Sequence, residues 1–230
     1  MSADGARRRA PRRAPLVLGI SGAGGMANAH AQRFAEVPGC RVVAVCDLDP
    51  RRARRFASTY GIAAAHGSIH GLLADQSVEA VSVVTPDASH LPVALASLRA
   101  GRHVLCEKPL ALNARDARRM QRAAQRAGVV NMVNFSYRDW PGIQEIARRV
   151  ADGALGELRH VEASYLQSWL SSRVWGDWRT NPAWLWRLST AHGSRGVLGD
   201  IGVHILDFAT YPCGPIRELS CQLRTFSKAR

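Results

Sequence analysis

Lysine is almost missing from this chain: of 31 basic residues only two are lysine. One of them, Lys108, stands in Cys106-Glu107-Lys108-Pro109, directly after the apolar run Arg102-His103-Val104-Leu105. A guanidinium is a planar fork, whereas an ammonium is a compact charge that can point at one oxygen. Lysine kept at this one place marks Lys108 as a candidate working group; the plain alternative is a turn lysine without a role. Cysteine is also sparse: Cys40, Cys46, Cys106, Cys213 and Cys221 are an odd set with no C-x-x-C. That excludes a disulfide framework and a zinc motif, and it suits a reducing cytoplasm. No apolar run approaches the ~20 residues that span a bilayer, so a soluble protein without membrane partners is expected. Internal repeats are absent, as is low complexity beyond the first residues.

The formal charge is +13, which raises the question of nucleic acid. No helix-turn-helix, zinc or aromatic RNA-binding motif accompanies it. Five arginines lie between Arg7 and Arg13, and others (Arg51, Arg52, Arg54, Arg55, Arg115, Arg118, Arg119, Arg122, Arg126) fall along helix faces. Solvated faces account for them, and no specific nucleic-acid partner is expected. Arg12-Arg13 before Leu16-Val17-Leu18-Gly19-Ile20 looks like the start of an export signal, but five apolar residues fall short of the ~7 to 15 of a signal core. Residues 1–14 read as a disordered basic tail.

At 230 residues and 47% hydrophobic the chain holds one large or two modest cores. From Leu16 strand-like and helix-like segments alternate. Strands are expected at Leu16–Ile20, Arg41–Cys46, Ala80–Val84, His103–Cys106 and Val129–Phe135. Helices are expected near Met26–Val37, Pro50–Tyr60 and Leu91–Ala100, and another between the cap Asn113 and the stop Gly128, with Ala117, Met120, Ala124 and Ala127 at helical spacing. Continuous apolar strands between helices indicate a parallel sheet covered on both faces. The fold class is therefore α/β: a Rossmann doubly wound parallel sheet over residues 15–137, followed at 138–230 by an incomplete α+β substrate or oligomerisation domain. There Gly142–Ala151 and Asp200–Tyr211 read as helices and Leu158–Trp169 and Leu219–Phe226 as strands of an open, mainly antiparallel sheet. Tryptophans at 169, 175, 178, 184 and 186 either stack on a sugar ring or fill the core between domains, and their bulk favours the core.

Gly22-Ala23-Gly24-Gly25-Met26-Ala27 fits G-x-G-x-x-A between a strand and a helix. There the backbone turns tightly and a helix N-terminus faces a pyrophosphate. Asp47 ends the second strand 23 residues after Gly24, where an acid accepts hydrogen bonds from the adenosine ribose. A carboxylate at that place repels a 2′-phosphate, which favours NAD over NADP; Arg51 and Arg52 just downstream keep NADP open. Asp200 and His204, four residues apart, would share a helix face if the turn is regular. Their spacing fits catalysis, a cap plus a packed histidine, or a metal pair, but no third ligand stands out and no metal is expected. The remaining histidines, His30 among them, carry no spacing signal and read as packed or exposed.

Together with Thr85-Pro86-Asp87-Ala88-Ser89-His90 and Asn134-Phe135-Ser136-Tyr137-Arg138, the segments Cys106-Glu107-Lys108-Pro109 and Gly199-Asp200-Ile201-Gly202-Val203-His204 resemble the Gfo/Idh/MocA family, which includes glucose-fructose oxidoreductase and inositol 2-dehydrogenase. The resemblance implies an NAD(P)-dependent oxidoreductase that moves hydride between a sugar, cyclitol or polyol carbon and nicotinamide. It implies Lys108, Asp200 and His204 as the catalytic group, with His204 the base and Lys108 the cation beside the hydroxyl. Gly22, Gly24, Gly25, Met26, Ala27, Asp47, Arg52, Thr85, Pro86, His90, Glu107 and Lys108 would bind the cofactor, and a full-length form would be a homo-oligomer. Members of this family typically continue well past Arg230, so the expectation includes a truncated chain. The alternative function is a catalytically impaired NAD-binding fragment or regulatory module.

Overall fold

The computed structural model describes residues 14–172, 174, 176–177, 179–181, 187 and 194–224. The residues read as the basic tail, apart from Ala14, lie outside this set, as do Trp175, Trp178, Trp184 and Trp186.

Six parallel strands form one sheet: β1 (Leu16–Ser21), β2 (Cys40–Cys46), β3 (Ala64–His66), β4 (Ala80–Val83), β5 (His103–Glu107) and β6 (Asn131–Asn134). Their order is β3-β2-β1-β4-β5-β6. The order reverses between β1 and β4, and in such sheets the crevice beyond the strand C-termini at that switch point is where ligands bind. The helices α1 (Gly25–Glu36), α2 (Pro50–Tyr60), α3 (Ile69–Leu73), α4 (His90–Arg99) and α5 (Ala114–Ala127) follow the strands. They cover two apolar clusters, one built around Leu72, Val81, Val83, Leu98 and Met120, the other around Ile20, Ala27, Val45 and Phe56.

Local chemistry explains the boundaries. Asp49 caps α2 by accepting the N–H groups of Arg51 and Arg52 at 2.9 and 3.2 Å, and Pro50 supplies a first turn that needs no donor. Asn113 caps α5 through the Asp116 N–H at 2.9 Å. That helix stops at Gly128, whose φ of 64° is left-handed. Gly19 lies where a Cβ would stand 2.7 Å from Leu72 Cδ2, so a side chain there would push Leu72 of α3 out of its present seat against β1.

Beyond β6 the helix α6 (Pro141–Ala151) packs against α7 (Val203–Cys213), which is entered through a π-helical turn, Leu198–Gly202. The strand expected at Leu158–Trp169 is not formed, and neither are residues 219–224 of the strand expected at Leu219–Phe226; residues 225–226 lie outside the described set. A strand is held by a hydrogen-bonded neighbour, and neither segment finds one among the described residues. Several of their apolar side chains stay in solvent, Leu166 91% exposed and Leu219 73%, although Trp169 is buried. Among the described residues the only sheet is the parallel one, and no helix is long and apolar enough to cross a membrane.

Candidate active site

The turn from β1 to α1 is fixed from three sides. Gly22 has φ 101°, and a Cβ there would stand 2.8 Å from the Val84 carbonyl oxygen, so both conformation and space demand glycine. Around Gly24 and Gly25 nothing lies within 4 Å of a Cβ position, which leaves the backbone of the turn open to a ligand. Ala27 is fully buried, letting α1 lie close on the sheet, while Met26 is exposed beside the turn. Asp47, at the end of β2, accepts the Ala23 N–H at 2.9 Å and the Asp49 N–H at 2.9 Å. Arg52 leans toward it, 3.6 Å from guanidinium to carboxylate. The acid expected to meet a ribose therefore also ties the glycine turn to the neighbouring strand.

Beyond β4, the Thr85 hydroxyl is buried and has no hydrogen-bond partner among the described residues. A buried polar group without a partner is unusual and marks a place where a ligand group can bind. His90 does not line the crevice: it is 1% exposed, and its ring nitrogens stand 2.9 Å from the Thr85 carbonyl and 2.8 Å from the Pro109 carbonyl. It braces the two loops that flank the crevice. Glu107 is likewise turned inward, 6% exposed. Both side chains are engaged within the protein: His90 holds two backbone carbonyls, and Glu107 holds the His30 and Asn134 side chains and the Lys108 N–H.

Lys108 follows β5, and its peptide bond to Pro109 is cis. Its ammonium reaches across 92 positions of sequence to donate to the Asp200 carbonyl at 2.9 Å and the Asp200 carboxylate at 3.1 Å. Arg187 donates to the same carboxylate oxygen at 2.7 Å. Lys108 and Asp200 side chains are 17% exposed, sheltered but open on one side. His204 sits one turn on, 5% exposed among aromatic rings: Tyr137 at 4.5 Å, Phe135 at 6.3 Å, Phe208 at 6.4 Å and Tyr165 at 6.5 Å between centroids. Its Nδ1 is buried without a partner among the described residues. The expected regular turn from Asp200 to His204 is replaced by the π-helical one. Asp200 meets Lys108 while His204 lies in the aromatic pocket, and among the described residues no hydrogen bond joins the two.

Electrostatics tie the group together. Burial and then the Lys108 charge hold the His204 imidazolium below the ordinary histidine range, against the opposing pull of Asp200, Glu107 and Asp207. Tyr137 is pushed up to about 12 by burial and by the hydrogen bond it shares with Tyr165 at 2.8 Å. Burial, then the charges of Glu107 and Asp87, push Cys106 to about 12, so this neighbour of the lysine is no thiolate nucleophile. Asp87 is raised by burial, with His90 and Lys108 pulling the other way. Among the described residues no group of three or more His, Cys, Asp or Glu is placed to hold a metal ion. Two cavities, of about 510 and 290 Å³, lie elsewhere, one beside α1 and the end of α2, the other between α4, α5 and β6.

The residue that sequence reasoning missed is His30, which lies in hydrogen-bond contact with Glu107 beneath Lys108. Its one visible cue is its place on α1, shortly after the glycine turn.

Comparison with known proteins agrees with the fold and identifies the family. A family model described as an oxidoreductase family with an NAD-binding Rossmann fold matches residues 16–135, and one described as a GFO/IDH/MocA C-terminal domain matches residues 143–230. The chain is 28% identical to levoglucosan dehydrogenase of Pseudarthrobacter phenanthrenivorans over 94% of its length and 55% of the relative's. It is 32% identical to D-glucoside 3-dehydrogenase of Escherichia coli over 93% and 58%. It thus spans about half the length of the curated relatives it matches. Among solved structures, an NAD binding oxidoreductase from Klebsiella pneumoniae superposes with a TM-score of 0.77 at 33% identity, covering 87% of this chain and 54% of the other. Levoglucosan dehydrogenase in complex with NADH and levoglucosan gives 0.76 at 28% identity, covering 87% and 54%.

Proposed function

The chain belongs to the Gfo/Idh/MocA family of oxidoreductases, and from that premise we propose that it binds NAD and serves the oxidation or reduction of a sugar, cyclitol or polyol hydroxyl carbon. The observation that carries the reading is the meeting of Lys108 with Asp200, while the Lys108 charge is felt at His204, at the C-terminal edge of the strands where the glycine turn opens.

The residues present fit the dinucleotide. The open backbone at Gly24 and Gly25 and the start of α1 would hold the pyrophosphate, and the Asp47 carboxylate, fixed by two backbone N–H groups, would take the ribose hydroxyls. The unpartnered Thr85 hydroxyl would serve the nicotinamide side. A carboxylate locked in this way cannot swing aside for a 2′-phosphate, which supports NAD over NADP; Arg52 offsets part of its charge. When bound, NAD supplies a hydride acceptor or donor at the nicotinamide. The chain's own residues handle the proton and the charge. His204, kept neutral by burial, takes the hydroxyl proton. Lys108 stabilises the developing alkoxide and is itself aimed by Asp200. Tyr137 and Phe135 hold the imidazole ring in place.

Levoglucosan dehydrogenase and D-glucoside 3-dehydrogenase, by their names, act on carbohydrates, which supports a carbohydrate substrate here. The same reading puts the chain in the cytoplasm, in keeping with its five free cysteines, and takes a full-length form to be a homo-oligomer. A panel of pyranoses, glycosides, cyclitols and linear polyols assayed for NADH formation tests it. At least one member should give saturable turnover with NAD and weaker turnover with NADP. Tight NAD binding with no NADH from any member would instead leave the chain as a cofactor-binding module.

A further inference from the structure

His30 projects from α1 into the closed space beneath Lys108, 7% exposed, with both ring nitrogens engaged. Nε2 stands 2.9 Å from Glu107 Oε1 and Nδ1 2.8 Å from Ser82 Oγ. Asn134 Nδ2 donates to the same Glu107 oxygen at 2.6 Å. The second oxygen, Oε2, accepts the Lys108 backbone N–H at 3.2 Å. Glu107 and Ser82 are 6% and 0% exposed, so water does not compete. One helix and three strands, α1, β4, β5 and β6, meet in this network.

Burial alone would raise the Glu107 carboxyl. The hydrogen bonds from His30 and Asn134, the charge of His30 and the Lys108 N–H outweigh it and hold the group below its ordinary value. An ionised carboxylate only accepts, so His30 Nε2 and Asn134 donate to it, and the rotatable Ser82 hydroxyl complements Nδ1. A buried polar network in which every member is partnered is rigid; one member short, it is a liability. Glu107 immediately precedes Lys108, so whatever fixes that carboxylate fixes the backbone from which the lysine stem departs.

We propose that His30 is a positioning residue for Lys108: it anchors the Glu107 carboxylate, which holds the Lys108 backbone so that the ammonium reaches Asp200 and the reacting hydroxyl. Among the described residues no hydrogen bond or ion pair joins His30 to Lys108 Nζ. The inference rests on Lys108 being the working cation, as proposed above.

The scarcity of lysine provides a direct test. Lys108 and Lys228 are the only lysines, so reductive methylation with 13C-formaldehyde gives two dimethyl-lysine signals besides that of the N-terminus. The variant Lys228→Arg assigns them. In His30→Leu the Lys108 signal should move toward that of a free exposed lysine, and kcat should fall about ten- to a hundredfold, the scale of a small misplacement at a reacting centre. NAD affinity should change by less than about threefold, because the glycine turn and Asp47 are untouched. His30→Gln, which still offers an N–H to Glu107, should recover most of both losses. Glu107→Gln should reproduce the His30→Leu result, with the double variant no worse than either. A folded His30→Leu protein whose Lys108 signal and kcat stay at wild-type values would overturn the proposal, as would a folded His30→Gln protein as impaired as His30→Leu. Should His30→Leu fail to fold, an unmoved Lys108 signal in Glu107→Gln overturns it equally. The lysine signal requires no turnover, so failure of the dehydrogenase reading, seen as an inactive wild type, is distinct from failure of this one.

Discussion

Lys108→Ala should cost about 10²- to 10³-fold in kcat, the range for removing one preorganised group that stabilises a developing oxyanion, with NAD affinity nearly unchanged. The ammonium is sheltered, donates to Asp200 twice, and faces the edge of the sheet where the glycine turn opens. The loss should be chemical rather than structural, because Asp200 keeps its hydrogen bond from Arg187 when the lysine is gone. Lys108→Arg should rescue little: a planar fork cannot occupy the place of an ammonium aimed at one carboxylate oxygen and one carbonyl. Steady-state kinetics together with NAD titration by tryptophan fluorescence separate the two quantities. A Lys108→Ala protein with near-normal turnover would remove the lysine from the chemistry.

His204→Gln should lower kcat by about 10²- to 10⁴-fold, the usual share of a positioned general base, and should abolish the acid limb of the pH profile. The sign follows from the shift. Burial and the Lys108 charge lower the imidazolium pKa, so the neutral base persists below the ordinary histidine value of about 6.5. In the wild type, kcat/KM should therefore hold through neutrality and fall only as pH drops past a point below that value. Removing Lys108 removes one of the two causes that lower it, so the residual activity of Lys108→Ala should show its acid limb moved toward higher pH. An acid limb in Lys108→Ala that does not move, or moves to lower pH, would mean that His204 is not the titrating base. The same shift affects the fold: the unfolded histidine binds a proton that the folded one refuses, so stability declines as pH falls through the ordinary value and on to the lower folded one.

The nucleotide-binding half was legible in the sequence because each of its signals is local. Apolar runs mark the strands; Asn113 and Gly128 mark helix ends that are found where they were expected. β3 and α3 escaped because three and five residues are too few for a period to show. Of the residues the motifs imply, Lys108 and Asp200 meet through a hydrogen bond, and His204 lies near enough for the Lys108 charge to lower its imidazolium pKa. Their detailed relation was hidden, since the π-helical turn that separates Asp200 from His204 is not encoded by spacing. Glu107 and His90 carry the expected motif but face inward, which only the packing of neighbouring loops decides. His30 was invisible for the same reason: its partners Ser82, Glu107 and Asn134 lie 52, 77 and 104 positions away. At Leu158–Trp169 period-two alternation suggested a strand, yet alternation expresses only a tendency, and no neighbouring strand among the described residues completes it.

The most direct measurement follows the hydride. The chain is mixed in a single turnover with NAD and a substrate from the panel deuterated at each ring or chain carbon in turn, and the NADH formed is weighed by mass spectrometry. Deuterium should appear in NADH from one carbon only, at a rate that collapses in Lys108→Ala while NAD stays bound. NADH without the label, or labelled NADH formed equally fast by Lys108→Ala and His204→Gln, would contradict the assignment of the crevice between β1 and β4 as the place where that transfer is carried out.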